Sequence, residues 1–156
     1  METPKYFSKI FYVSLDKVSQ IVYILFIKTK EEKKMVVTRE FLEKNPNMVF
    51  VFGDNQLRRG KGGAAALRDC KNTYGFITKK YPSNNDDAFF TPEEYEPVFQ
   101  EELAKLCDTI QKNPDKMFLI SKVGGGLANK YNIFEEVIAE NLIEALENFE
   151  NVTFLY

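Results

Sequence analysis

A chain of 156 residues is long enough for one domain with a real core and too short for two ordinary ones. Its 44% hydrophobic and 14% aromatic content supplies that core and argues against disorder, while a net charge of −2 gives no bulk attraction for nucleic acid or an anionic membrane, so any anion site must be local. There is no histidine, which excludes histidine triads, histidine metal sites and imidazole acid–base catalysis; Cys70 and Cys107 lack metal-ligand spacing and read as reduced thiols.

In chain order, Phe7 to Val13 and Ile21 to Ile27 have the apolar runs of two strands, joined by the polar Asp16-Lys17 stretch. Residues 1–34 are therefore either an N-terminal extension forming a β-hairpin or a segment upstream of a start at Met35. The second option is suggested by Glu31-Glu32-Lys33-Lys34, whose codons would be purine-rich like a ribosome-binding site. The longest apolar run is far below the roughly twenty residues that span a bilayer, and it lacks the cleavage site of a signal peptide. The expected setting is cytoplasmic, with no membrane partner.

Residues 35–156 read as a single α/β domain. Thr38 caps a short helix, Arg39 to Lys44, that ends at Asn45-Pro46. Met48 to Phe52 is the continuous apolar run of a strand buried on both faces, followed by a glycine-rich loop from Asp54 to Gly63 and a short helix from Ala64 to about Cys70. Tyr74 to Thr78 is the next strand, and Lys80 to Phe90 a polar surface loop. Thr91-Pro92-Glu93-Glu94 starts a helix with a capping hydroxyl, an initial proline and acids against the dipole. That helix carries Tyr95, Val98, Phe99, Leu103, Leu106 and Ile110 on one face and stops near Asn113-Pro114. Met117 to Ile120 is a buried strand leading into Gly124-Gly125-Gly126. A second amphipathic helix follows, through Phe134, Val137, Ile138, Leu142, Ala145 and Phe149, and Val152 to Tyr156 closes the chain as a strand. No repeat is evident. Strands alternating with helices predict a mostly parallel or mixed sheet flanked by helices in three α/β/α layers, with ligands at the carboxyl ends of the strands.

Two loops could carry chemistry. In the first, Gly60, Gly62 and Gly63 permit close backbone approach, consecutive amides can point at an anion, and Arg58, Arg59 and Lys61 raise the local potential. Asn55 can bond a sugar hydroxyl. The spacing is neither that of a P-loop nor that of the dinucleotide fingerprint. In the second, Ser121-Lys122-Val123-Gly124-Gly125-Gly126-Leu127-Ala128 places three glycines after a buried strand, a pattern suited to wrapping phosphate oxygens with main-chain amides.

These motifs resemble a known family. Asn55-Gln56-Leu57 followed by Gly60-Lys61-Gly62-Gly63-Ala64-Ala65 resembles the first ligand loop of macro domains, and Leu119 to Gly126 with the helix and strand that follow is similar to their second, phosphate-wrapping loop. The chain also resembles bacterial and phage proteins that carry the phrase Val51-Phe52-Gly53-Asp54-Asn55. The macro-domain likeness implies binding of ADP-ribose or a related nucleotide and, in some members, hydrolysis of an ADP-ribosyl bond. It places Asn55 at the distal ribose, Gly62, Gly63 and Ala64 along it, and Gly124 to Leu127 at the diphosphate. The adenine-contacting acid of macro domains has no counterpart near Val36 to Arg39.

The expected ligand residues are thus Gly53, Asn55, Leu57, Gly60, Gly62, Gly63, Ala64, Ser121, Gly124, Gly125, Gly126 and Leu127. Asp54 and Asn55 are the candidates to orient a ribose or a water if hydrolysis occurs, with no cofactor and no metal. Two alternatives stand beside this: a nucleotide or sugar-phosphate transferase holding a divalent metal through Asp86, Asp87 or Asp54, and a non-catalytic phage or mobile-element protein that sequesters a signalling nucleotide or a host partner. Three basic residues are too few for an extended nucleic-acid footprint. Tyr74 and Tyr131 are candidates to stack on a base, and Lys79-Lys80 reads as a solvated strand end.

Overall fold

The computed structural model describes residues 35–156, and the two strands expected before Met35 lie outside them. Helix α1 (Arg39–Lys44) begins where the Thr38 hydroxyl accepts the Phe41 amide at 3.1 Å. It leads into β1 (Met48–Asn55), and β2 (Thr73–Lys79), α2 (Pro92–Lys112), β3 (Met117–Ile120), α3 (Ala139–Leu146) and β4 (Val152–Phe154) follow in order. Helix α2 starts with a full capping box between Thr91 and Glu94. A five-residue π-turn, Phe134–Ile138, runs directly into α3.

The four strands form one parallel sheet in the order β2-β1-β3-β4. From β1 the chain moves to one side, and from β2 it crosses back over β1 to reach β3. The carboxyl ends of β1 and β3 therefore flank the point where strand order reverses, the position at which parallel sheets bind ligands. Alternation turns Val49, Val51, Phe118, Ile120 and Val152 to one face. There they form a buried core with Phe99, Leu106 and Ile110 of α2, Val137 and Ile138 of the π-turn, and Leu142 and Leu146 of α3. Phe50, Phe52 and Leu119 alternate to the other face, where the Arg68 guanidinium lies 5.5 Å from the Phe52 ring. The β1–β2 connection holds one 3₁₀ turn, Gly63–Leu67, and the described residues show a mixed α/β unit of a four-stranded parallel sheet with helices. Val37–Tyr156 packs as one unit, and no described helix is long and apolar enough to cross a membrane.

Several expectations are corrected in detail. β1 runs three residues past Phe52, because Gly53, Asp54 and Asn55 keep their ladder with β2, with a register shift at Asp54/Asn55. The helix expected from Ala64 to Cys70 is only the 3₁₀ turn, so it presents no helix dipole to the glycine loop. The Lys80–Phe90 loop is not uniformly polar: Ala88, Phe89 and Phe90 are buried. Glu102 lies within the buried stripe of α2.

The structure also reveals a repeat invisible to composition. Asn45 and Asn113 end α1 and α2 with nearly the same backbone angles, φ −127° and −126°. A downstream asparagine then closes each corner. The Asn72 side-chain amide donates to the carbonyls of Leu42, Asn45 and Met48 at 2.8–3.2 Å. The Asn151 amide donates to those of Ile110, Asn113 and Lys116 at 3.1–3.3 Å. The two acceptor sets fall at identical spacing, and the same asparagines accept the amides of Phe50 and Phe118 through their backbone carbonyls.

Candidate functional site

Both glycine loops leave the carboxyl edge of adjacent strands. They touch: a Cβ on Gly53 would lie 3.6 Å from the Gly124 amide nitrogen, and one on Gly63 would lie 3.6 Å from Leu127 Cδ1. A third loop joins them, since a Cβ on Gly60 would meet Pro82 at 3.0 Å and the Phe89 and Tyr131 rings meet edge-on at 6.5 Å.

In the first loop, side chains draw the carbonyls inward. Arg68 Nε donates to the Gly60 carbonyl at 3.0 Å, and Asn55 Nδ2 and Arg68 donate to that of Arg59 at 2.7 and 3.2 Å. The amides of Gly60, Lys61, Gly62, Gly63 and Ala64 find no acceptor among the described residues. The second loop repeats the polarity. The carbonyls of Lys122 and Gly126 accept from Gly125 and Asn129, whereas the amides of Gly126 and Leu127 have no acceptor among the described residues. Gly124 sits at φ +76°, and a Cβ there would come 2.4 Å from Ile138 Cδ1; the backbone turn and the packing both require glycine. Gly125 lies against the aliphatic stem of Lys122, but Gly62 and Gly126 open onto free space. Leu57 and Leu127 are 51% and 72% exposed, so each loop offers an apolar side chain to whatever approaches.

Asp54 is not open to a ligand. Its Oδ1 accepts from the Asn55 amide at 2.8 Å and Arg68 at 2.6 Å, and its Oδ2 accepts from Arg58 at 3.2 Å and Arg68 at 2.9 Å. Burial alone would raise this carboxyl, but the bonds from Arg68, the Asn55 amide and Arg58 outweigh it and hold the group below the usual carboxylate value. A Cβ on Gly75 would lie 2.4 Å from Asp54 Oδ2, so glycine there makes room for the carboxylate. Asn55 likewise staples the loop, accepting the Leu57 amide at 3.1 Å while its Nδ2 holds Arg59. The Ser121 hydroxyl donates to the Val51 carbonyl at 2.6 Å, extending the β1–β3 pairing. Gly53 lies within β1 beside Thr78. The sequence pattern thus brings together Leu57, Gly60, Gly62, Gly63, Ala64 and Gly124 to Leu127 at one edge. It assigns Asp54, Asn55 and Ser121 to holding that edge in place.

The other candidates sort differently. Lys130 pairs with Asp86 and Lys80 with Glu94, and Asp87 accepts from the Tyr81 hydroxyl. No group of three or more Cys, Asp or Glu among the described residues is placed to hold a metal ion. Tyr74 lines a separate cavity of about 640 Å³ near the amino end of the strands, with Leu42, Val49, Cys70, Asn113 and Phe118. Burial, helped by the charge of Glu102, raises its phenol. Cys70 and Cys107 are both free thiols. Lys79, read from sequence as a solvated strand end, is half-buried, and Arg68, which ties Asp54 to two loop carbonyls, carries no motif that marks it in the sequence.

The model of a family of unknown function, DUF7831, matches residues 32–129, a span that includes both glycine loops. No curated protein and no solved structure matches the chain.

Proposed function

The chain belongs to this family of unknown function, and we propose that it binds ADP-ribose or a related nucleotide derivative between residues 56–64 and 121–128. The observation that carries the reading is the shared polarity of the two loops: carbonyls bonded inward, amides left outward, at the switch point of a parallel sheet. Such amides suit the oxygens of a diphosphate, and Leu57 and Leu127 suit the apolar faces of sugar and base. The macro-domain resemblance supplies the ligand class.

The site favours binding over hydrolysis. Asp54 has every acceptor direction used by arginine or backbone, and Asn55 is neither acid nor base, so turnover would fall to the substrate and an ordered water. A metal-dependent transferase has less support, because Asp54 and Asp86 already face cations.

Isothermal titration with ADP-ribose, ATP and NAD tests the reading. Gly126→Glu is the matched variant, since nothing lies within 4 Å of its Cβ position and the added carboxylate would repel a diphosphate without displacing a neighbour. The expected result is selective ADP-ribose binding that Gly126→Glu abolishes. Silence with all three ligands would overturn it.

A further inference from the structure

We infer that Lys79 is the ammonium that meets the anionic group of the ligand at the glycine edge, with phosphate or diphosphate as its counter-ion; the location rests on the reading above. Lys79 ends β2 opposite Asn55 of β1, and its carbonyl accepts the Gln56 amide at 3.0 Å, so it stands where the first glycine loop begins. The loop that follows it reaches the first glycine loop through Pro82 and Gly60, and meets the chain just past the second through Phe89 and Tyr131.

The charges at this edge set Lys79 apart. Arg58 and Arg68 are paired with Asp54, Lys61 with Asp69, Lys80 with Glu94 and Lys130 with Asp86. Arg59 and Lys122 have no carboxylate partner among the described residues, but both are exposed and water serves them. Lys79 is half-buried and has no carboxylate partner among the described residues. Its Nζ donates to the Ser83 carbonyl at 2.5 Å and lies 4.5 Å from the Phe89 ring centroid. The Lys130 ammonium stands 5.5 Å from that same ring, so two cations share one aromatic ring and, among the described residues, Asp86 pairs with Lys130 alone. Withdrawing an ammonium from water without an anion is unfavourable, and burial accordingly lowers the Lys79 amine from its ordinary value. A bound phosphate oxygen would complete the set with a charge-assisted hydrogen bond.

Reductive methylation of the full chain, read by peptide mass spectrometry with and without inorganic pyrophosphate, tests this. Pyrophosphate is expected to slow modification of Lys79 several-fold while leaving exposed Lys44 and Lys112 unchanged. In parallel, Lys79→Gln is expected to weaken pyrophosphate binding about tenfold, the scale of one lost charge-assisted bond, and Lys79→Arg to retain most of it. Should Lys79→Gln fail to fold, protection in the parent chain decides alone. Equal methylation with and without pyrophosphate overturns the inference. Protection by pyrophosphate with no response to ADP-ribose would sustain it and remove the ADP-ribose reading. ADP-ribose binding that leaves Lys79 unprotected would do the reverse.

Discussion

At the amino end of the sheet, Asn72 and Asn151 each deliver one side-chain amide to three carbonyls, and the corners of α1–β1 and α2–β3 are closed by the protein itself. At the carboxyl end, the amides of Gly62, Gly63, Gly126 and Leu127 have no acceptor among the described residues. Both ends are built from the connections between strands and the segments that flank them, so the contrast lies in side-chain supply. Where an asparagine or arginine reaches back, backbone groups are used for stability; where glycines keep side chains away, they are left without an acceptor among the described residues. Polar groups are brought to the carboxyl edge too, but Asp54, Asn55, Arg68 and Ser121 spend their bonds on carbonyls and on one another. The second end is thus tied from beneath and open above.

The sharpest way to break the comparison is to remove the support. Asp54→Ala leaves Arg68 without its buried anion and Arg58 with only the longer contact to Glu102 at 3.7 Å, and is expected to destabilise by about 3–5 kcal/mol, read by urea denaturation. If Asp54 instead served catalysis, stability would hardly change. The same pair sets an acid limit. Because the folded carboxyl lies below its ordinary value, its stabilisation is complete above the usual aspartate range and fades as pH falls through the lowered folded value. Asp54→Asn should flatten that acid limb of the stability–pH curve.

Closing asparagines come next. Asn72→Ala and Asn151→Ala each remove three bonds to carbonyls that water can partly re-satisfy, so about 2 kcal/mol is expected for each, and similar values would confirm the two corners as equivalents. Gly124→Ala, strained at φ +76° and pressed on Ile138, is expected to lose about 1–3 kcal/mol by thermal or urea melts. The smallest effect belongs to the open positions. Gly62→Ala and Gly126→Ala meet nothing within 4 Å and should leave stability within about 0.5 kcal/mol while weakening any ligand that needs close backbone approach.

Much of this architecture was legible in the sequence because local signals were unambiguous. Thr91-Pro92-Glu93-Glu94 has only one good use, and the apolar runs at Met48 and Met117 mark buried strands. The glycine loops were legible as well, since glycines after a buried run mark where the chain turns off a strand end. What eluded the sequence was long-range. Asp54 reads as a candidate to orient a ribose or a water because its main partner, Arg68, lies fourteen residues on with no motif to announce it. The corner asparagines Asn72 and Asn151 act on carbonyls 24 to 41 residues away, so no window contains both sides of the bond. Lys79 reads as solvated until Phe89 folds back against it. The three alanines from Ala64 favour helix, yet after the Gly60–Gly63 run the chain forms only the 3₁₀ turn Gly63–Leu67.

The amino end retains one rival claim, the cavity of about 640 Å³ lined by Val49, Cys70, Tyr74 and Phe118, a volume typical of small-molecule sites. The decisive measurement is an amide-resolved NMR titration of the full chain with ADP-ribose. Shifts concentrated at Gly62, Gly63, Gly126 and Leu127, with Cys70, Tyr74 and Asn113 unmoved, are the predicted result. Shifts confined to the amino-end cavity, or none at all, would contradict the account.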